Sequence, residues 1–179
     1  MKSFIPAVQR SNGALTTSLD EVGAEFVRYY QNLLGTSSSI SPIDAAVVYS
    51  SPCLDESHSS FLLAHVSNEA IKETLFSIGN DKALGPGGFS SFFFKKSWDI
   101  VGADFCATVQ DFFSSGQILK QSNHCIIALV PKSTNVNSAN DFKPISCCNV
   151  IYKVISKILA GRLCRAFQDI FGPAQNAFL

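Results

Sequence analysis

The last third of the chain carries the pattern that most restricts its fold. Residues 125–130 form an unbroken apolar run of β-prone side chains, which predicts a strand. A polar stretch at 133–140 separates this run from a second short segment at 142–145, and the pair predicts a β-hairpin. Pro144 has no backbone N–H, so the second strand must lie at an edge or be irregular. Residues 148–168 then show helical periodicity, which adds one long helix directly after the hairpin.

Helical signals dominate the rest of the chain. Ser18 and Ser67 each precede an apolar pattern of helical period and are typical N-caps, with acidic side chains in the following turn. The helices predicted before the hairpin cover residues 18–34, 67–78, 90–97 and 100–115, the last ended by Gly116. Residues 43–66 contain turn signals around short apolar runs and stay ambiguous. The sequence therefore predicts a mostly helical α+β protein with one short hairpin.

Charge is distributed unevenly along the chain, although the formal net charge is zero. Residues 1–80 carry four basic and eight acidic side chains, whereas residues 81–179 carry ten basic and six acidic ones. A basic half is compatible with a polyanionic partner, and equally with an ordinary solvated surface. Apolar residues make up 46% and charged residues only 16%, which suggests an apolar area that meets another part of a larger protein.

The six cysteines show neither a Cys-x-x-Cys pair nor histidines at metal-ligand spacing. Three of them, Cys106, Cys125 and Cys164, lie in apolar runs, where a reduced thiol behaves as a small hydrophobe. We therefore expect a reducing intracellular compartment and no structural metal, with nucleus and cytoplasm both open. No apolar run reaches the length of a membrane span and the N-terminus lacks a signal-peptide core, so no membrane partner is expected.

Two features invite a phosphate-binding interpretation. Antiparallel pairing brings Lys132 and Lys143 to one end of the sheet, where two ammonium groups suit a triphosphate. Lysines on exposed strands also discourage edge-to-edge pairing, and the residues alone favour this second interpretation. Gly-Pro-Gly-Gly at 85–88 offers several backbone N–H groups, but it lacks the Gly-Lys-Ser/Thr of a P-loop. A flexible turn before a helix is the better interpretation of those glycines.

Three basic side chains belong to the helix predicted at 148–168. At about 100° per residue, Lys153 and Lys157 lie opposite the apolar residues, whereas Arg162 projects into the middle of the apolar arc. An arginine at that place has a stem that snorkels to solvent, or a buried guanidinium with an ionic partner. These structural interpretations are favoured over a nucleic-acid contact for Arg162.

The sequence of 179 residues contains no recognisable pattern of catalytic residues. His58, His65 and His124 have no metal-binding helical spacing. Aspartates occur singly, whereas nucleotidyl transfer by two metals needs clustered carboxylates that hold two Mg²⁺ about 4 Å apart. We therefore predict no catalytic residue and no metal ligand in this chain.

Several long motifs follow one another along the chain. They are Leu-Phe-Ser-Ile-Gly-Asn-Asp-Lys-Ala-Leu-Gly-Pro-Gly-Gly-Phe at 75–89, Phe-Phe-Lys-Lys-Ser-Trp-Asp-Ile-Val-Gly at 93–102, Asp-Phe-Phe-Ser-Ser-Gly at 111–116, Ile-Ile-Ala-Leu-Val-Pro-Lys at 126–132, Asp-Phe-Lys-Pro-Ile-Ser-Cys-Cys-Asn-Val-Ile-Tyr-Lys-Val-Ile-Ser-Lys-Ile-Leu-Ala-Gly-Arg-Leu at 141–163 and Gln-Asn-Ala-Phe at 175–178. In order and spacing this series resembles the reverse transcriptase of plant non-LTR (long interspersed) retrotransposons. The helix predicted at 18–34 is similar to the segment that joins endonuclease and reverse transcriptase in these elements.

The resemblance implies roles for five basic residues. The fingers of such enzymes contact the phosphates of the incoming nucleotide, and the matching residues are Lys132 and Lys143. The basic fingers surface also holds the template, which implies a template contact for Lys153, Lys157 and Arg162. The implied partners are an RNA template with a DNA primer, a deoxynucleoside triphosphate and the polymerase palm domain.

The resemblance also implies how the chain is organised. It divides the chain into a helical extension or linker at 1–66 and a partial reverse-transcriptase domain, the fingers, at 67–179, with palm and thumb absent. No cofactor is expected on this chain, and Mg²⁺ is expected only in the full-length enzyme. We therefore expect a fragment that does not polymerise alone. A non-catalytic nucleic-acid-binding module and an inert relic of a decayed element stay open as alternatives.

Three positions depart from the family pattern. The family usually has Pro where this chain has Leu84, Asp where it has Gly87, and Arg where it has Lys143. The lost proline loosens the loop, and the lost aspartate removes a hydrogen-bond acceptor. Lysine keeps the positive charge but does not offer the bidentate fork of arginine to a phosphate.

Overall fold

The computed structural model describes residues 5–37, 39–50 and 53–167. Its elements, in chain order, are α1 (Leu19–Leu34), α2 (Ala45–Ser50), α3 (Glu56–Leu63), α4 (Asn68–Phe76), α5 (Ser91–Lys96), α6 (Trp98–Ser115), β1 (Cys125–Pro131), a 3₁₀ turn (Ala139–Asp141), β2 (Phe142–Cys148) and α7 (Val150–Phe167). The predicted mostly helical α+β class is confirmed. The motif at 175–178 lies outside the described residues.

Local hydrogen bonds set the ends of several helices. The hydroxyls of Ser18, Ser67 and Ser90 each accept a hydrogen bond from the backbone N–H three residues later, at 3.2–3.3 Å. Each bond satisfies one of the donors that a helix leaves unpaired at its start. Gly116 ends α6 in a left-handed conformation with φ of 70°, and its N–H donates to the carbonyl of Phe112 at 2.8 Å. The predicted caps at Ser18 and Ser67 and the predicted stop at Gly116 are confirmed.

The ambiguous stretch at 43–66 contains the short helices α2 and α3. The carboxylate of Asp55 caps α3 and accepts a hydrogen bond from the N–H of His58 at 2.9 Å. Hydrogen bonds from the Ser57 hydroxyl and from His58 hold the pKa of Asp55 well below its usual range. Helix α3 buries no residue fully, so its sequence carries little of the apolar period that reveals a helix.

The described residues form two compact units. One contains residues from the ranges 1–44 and 127–145, and the other contains residues from the ranges 45–126 and 146–179. The division at 66/67 that the family resemblance implies concerns segments of a longer protein, and it stays a prediction.

The larger unit has a core formed by α4, α6 and α7. Ile71, Leu75, Val109 and Val154 have no accessible surface, and full burial of such a side chain contributes about 1.5–3 kcal/mol. The other buried members of this core are Val66, Ile78, Phe105, Cys106, Val150 and Ile155. The helical period of the sequence predicts that Ile71 and Leu75 of α4 and Phe105 and Val109 of α6 face inward, and their burial confirms this.

The smaller unit packs α1 against the 3₁₀ turn and β2. The rings of Phe26 and Phe142 meet edge to face, with centroids 5.2 Å apart and planes at 87°, a favoured geometry for an aromatic pair. The apolar stripe predicted along α1 is only partly buried, because Leu19 and Leu33 are each 59% exposed. Helix α1 therefore buries the patch around Val22 and Phe26 and leaves its two ends accessible.

Strands β1 and β2 form the predicted antiparallel hairpin. The backbone N–H of Lys132 donates to the carbonyl of Asp141 at 2.8 Å, so these two residues lie opposite each other just beyond the strands. Both strands are seven residues long, and this register matches their outer ends, Cys125 and Cys148. Strand β2 is therefore longer than the predicted segment at 142–145 and runs almost to the start of α7.

The register also accounts for both prolines of the hairpin. Opposed residues in an antiparallel pair alternate between hydrogen-bonded and non-bonded pairs, and Lys132 with Asp141 is a bonded pair. Pro131 and Pro144 consequently occupy non-bonded positions, where the ladder requires no N–H. Each strand in the two-stranded sheet of the described residues is an edge, as the prediction for Pro144 required.

Candidate functional site

Lys132 and Lys143 lie on the same face of the hairpin. The register sets Lys143 opposite Val130, and Val130 shares its face with Lys132 two residues along the chain. The two lysines are therefore diagonal neighbours, with Cβ atoms about 7 Å apart. Both are exposed, whereas the adjacent Phe142 points to the opposite face and into the core of the smaller unit. The two ammonium groups thus lie at one end of the sheet, and their nucleotide-binding role stays a prediction.

The two hairpin lysines differ in their surroundings. The ammonium group of Lys132 donates to the carbonyl of Asn140, which orients its side chain along the loop. Lys143 has no hydrogen bond or ion pair within the part of the chain that the structure describes. Of the pair, Lys143 is consequently the cation with more of its bonding capacity free for a ligand.

Asp141 fastens the loop that joins the two strands. Its Oδ2 accepts hydrogen bonds from the N–H of Asn137 at 3.0 Å, from the N–H of Ser138 at 2.9 Å and from the Ser138 hydroxyl at 3.1 Å. These bonds, led by the one from the Ser138 N–H, lower the pKa of Asp141, and the charge of Lys132 adds to the effect. The carboxylate of Asp141, although close to Lys132, therefore accepts its hydrogen bonds from Asn137 and Ser138.

Lys153 and Lys157 of α7 have different environments, although they lie one turn apart. Lys153 is half-buried, and its ammonium group donates to the carbonyl of Ala83 in the glycine-rich loop. Lys157 is exposed and makes no hydrogen bond or ion pair with any other described residue. Lys153 therefore holds two segments of the larger unit together, and Lys157 presents its charge to solvent. Template binding by either lysine stays a prediction.

The glycine-rich loop at 85–88 packs against the junction between β2 and α7. Gly85 is buried, and a Cβ there would lie 2.4 Å from the backbone nitrogen of Asn149 and 2.5 Å from the carbonyl carbon of Cys148. The N–H of Gly87 donates to Oδ1 of Asn149 at 3.0 Å. The turn expected to be flexible is therefore a packed one. An anion at this loop would have to displace the bond of Gly87.

Asn149 is a positioning residue that sequence patterns do not single out. Its Nδ2 donates to the carbonyls of Gln121 at 3.3 Å and Ser122 at 3.2 Å, while its Oδ1 accepts from Gly87. An asparagine before an apolar helix predicts an N-cap whose side chain bonds to the first turn. Here the amide links two distant loops, and Gly87 is 62 residues away along the chain. A local pattern carries no signal for such a contact.

The guanidinium of Arg162 closes the end of α3. Its Nη1 donates to the carbonyl of Leu62 at 2.9 Å and its Nη2 donates to that of Ala64. Carbonyls at a helix C-terminus lack partners within the helix, and the helix dipole favours a cation there. The ring of Phe113 lies 5.3 Å from the guanidinium carbon. From the sequence, a buried guanidinium at this place is expected to have an ionic partner. Arg162 has no acidic partner among the described residues, and two backbone carbonyls accept its hydrogen bonds instead. Its template contact stays a prediction.

Two kinds of feature are absent from the described residues. They contain no group of three or more His, Cys, Asp and Glu side chains placed to hold a metal ion. No helix in residues 5–37, 39–50 and 53–167 has both the length and the apolar character that crossing a membrane requires.

Comparison with known proteins relates most of the chain to a transposon protein. No protein-family model matches the chain. The chain is similar to the transposon TX1 uncharacterized 149 kDa protein of Xenopus laevis, with 24% identity over 149 residues. The match covers 83% of this chain and 11% of that protein, so the chain spans about a tenth of the length of this relative.

Proposed function

We propose that this chain derives from a transposable element and forms the fingers segment of a non-LTR retrotransposon reverse transcriptase, an RNA-directed DNA polymerase. Similarity to a transposon protein over 83% of the chain supports the first part. The series of motifs at 75–89, 126–132 and 141–163 supports the second part. In this proposal the chain supplies contacts to nucleotide and template, and the chemistry belongs to another segment of the polymerase.

The observation that carries the proposal is the pair of exposed lysines on one face of the hairpin. Two lysines whose Cβ atoms are about 7 Å apart can bring their ammonium groups to different phosphates of one triphosphate. Lys143 acts as the main phosphate ligand because it has no partner among the described residues. Lys132 adds a second charge whose position is already set by the carbonyl of Asn140. Both act as point charges and not as bidentate forks.

Binding of a deoxynucleoside triphosphate to the 179-residue chain tests this role by isothermal titration calorimetry at low salt. Lys143→Ala is expected to weaken binding about tenfold, since it removes one charge-assisted contact of about 1.4 kcal/mol. Lys132→Ala is expected to weaken it less. The matched control is Lys120→Ala, which removes an exposed lysine before β1 and leaves binding unchanged. An equal loss in the control, or no loss in Lys143→Ala, contradicts the proposal.

We propose further that this chain alone does not polymerise. The family chemistry uses two Mg²⁺ held by clustered carboxylates. The described residues do not fit such a pair, because they contain no group of three or more potential ligands in one place. We therefore assign no catalytic step to them. In a template-primer extension assay with Mg²⁺, we expect no incorporation above a protein-free blank, and robust incorporation would refute this part of the proposal.

A second candidate function is a non-catalytic nucleic-acid-binding module, which the free ammonium group of Lys157 favours. Binding of single-stranded RNA is expected to weaken steeply with salt, because phosphate contacts release counterions. Lys157→Glu is expected to lower both the affinity and the salt dependence, whereas Lys120→Glu is the control of equal charge change. Binding that does not respond to salt argues for an inert relic, as does a melt without cooperativity.

The other two template candidates need a separate readout. Lys153 and Arg162 already donate to carbonyls within the larger unit. Lys153→Met and Arg162→Met are therefore expected to lower the unfolding midpoint and to change RNA affinity less than Lys157→Glu does. A large loss of affinity in a variant of unchanged stability would assign that residue to the template.

A further inference from the structure

Cys125 and Cys148 face each other across the outer pair of the hairpin. The register that begins at Lys132 and Asp141 sets these cysteines directly opposite, at the ends of β1 and β2. They fall on a non-bonded pair, for which Cα atoms in antiparallel strands are about 4.5 Å apart. Disulfides span Cα distances of about 4.4–6.8 Å. The pair therefore has the spacing of a cross-strand disulfide without movement of the backbone.

The environments of the two thiols indicate how they react. Cys125 is exposed, whereas Cys148 is partly buried. Burial, followed by the neighbouring thiol of Cys125, raises the pKa of Cys148. Cys125 is thus the thiol that meets a reagent first, and Cys148 is the thiol already beside it. Cys147 points to the other face of β2, because neighbouring residues of a strand alternate, so it does not meet Cys125.

We propose that Cys125 and Cys148 form a modifiable dithiol that a low-molecular-weight disulfide such as glutathione disulfide converts into a cross-strand disulfide. The thiolate of Cys125 attacks one sulfur of glutathione disulfide, which breaks its S–S bond and releases one glutathione. Cys148 then gives up its proton and attacks the sulfur of Cys125, which expels the second glutathione. The two cysteines are oxidised, glutathione disulfide is reduced, and the two thiol protons end on the two glutathione molecules.

The disulfide links β1 to Cys148, which directly precedes Asn149 in the chain. Asn149 in turn holds Gly87 and the turn at 121–122. The bond therefore joins the base of the hairpin to the contact that positions the start of α7. In a reducing compartment such a bond is transient, so it is a reversible modification of this junction.

The test treats the reduced 179-residue chain with glutathione disulfide, alkylates the remaining thiols and maps linked peptides by mass spectrometry. We expect the number of alkylated thiols to fall by two from the six of the reduced chain, with one linked peptide that joins Cys125 to Cys148. Dithiothreitol is expected to restore all six. Six unchanged thiols, a lasting glutathione adduct on Cys125, or a link through Cys147 each overturns the proposal.

Matched variants assign the reaction to this pair. Cys125→Ser and Cys148→Ser are each expected to abolish the linked peptide, whereas Cys147→Ser removes the adjacent thiol and retains it. Circular dichroism of each variant checks that the helical spectrum of the parent chain is kept. The decisive linkage is measured in the parent chain, so the conclusion stands even if one variant folds poorly. Loss of the linkage in a folded Cys147→Ser variant contradicts the assignment.

Discussion

Replacement of Gly85 by alanine tests how the glycine-rich loop packs on the start of α7. The added Cβ would lie 2.4 Å from the nitrogen of Asn149 and 2.5 Å from the carbonyl carbon of Cys148. Unbonded heavy atoms settle at about 3.5–4.0 Å. Both obstacles are backbone atoms, so rotation of a side chain does not relieve the overlap. The loop or the start of the helix has to move by about 1 Å.

The size of the effect follows from three contributions. Overpacking of this kind costs about 1–3 kcal/mol. Movement of the loop also weakens the bond from Gly87 to Asn149, which contributes about 1 kcal/mol. Gly85 does not have a positive φ, so alanine recovers about 0.4–1 kcal/mol by restricting the unfolded chain. We expect a net loss of about 2 kcal/mol, which lowers the melting midpoint of a chain of this size by about 4–8 °C.

Urea denaturation followed by far-ultraviolet circular dichroism measures this loss, and Gly161→Ala is the matched control. Gly161 lies in α7, and a Cβ there would meet nothing within 4 Å. Alanine at that position is expected to stabilise the helix by about 0.8–1 kcal/mol. The two variants therefore change stability in opposite directions. Gly85→Ala with parental or higher stability, alongside a stabilised control, would refute the packing of the loop on α7.

Two further predictions concern Arg162 and Asp141. Arg162→Met keeps an unbranched stem over Phe113 but removes the donors to the carbonyls of Leu62, in the last turn of α3, and of Ala64, directly after it. Urea titration should therefore show a loss of about 1–2 kcal/mol. The control is Arg165→Met, which removes a cation over the ring of Phe61 and should lose less than about 1 kcal/mol. The pKa of Asp141 is lowered in the folded chain, so its carboxylate stabilises the fold at a pH above its ordinary pKa of about 4. This stabilisation is lost as the pH falls through the folded pKa. Asp141→Asn should therefore be less stable than the parent at neutral pH, with a difference that shrinks below about pH 4; a difference independent of pH contradicts this role.

Helix and strand ends are predictable from the sequence where their hydrogen bonds are local. The caps at Ser18 and Ser67 and the stop at Gly116 each depend on a partner within four residues. The full length of β2 is different, because residues 146–148 join the sheet by pairing with β1 and not through a local pattern. Helix α3 is not predictable in this way, since it buries no residue fully and its sequence has no clear apolar period.

The same distinction limits what basic residues reveal about function. Helical periodicity places Lys153 and Lys157 on one side of α7, yet Lys153 donates to a carbonyl of the glycine-rich loop, whereas Lys157 has no partner among the described residues. The carbonyl that engages Lys153 belongs to Ala83, 70 residues earlier, and no periodic pattern contains that contact. The proximity of Lys132 and Lys143, in contrast, follows from the register of a single hairpin, which the sequence predicts. The sequence therefore predicts which two lysines of the hairpin lie close together, but it does not predict which lysine of α7 is free to contact a template.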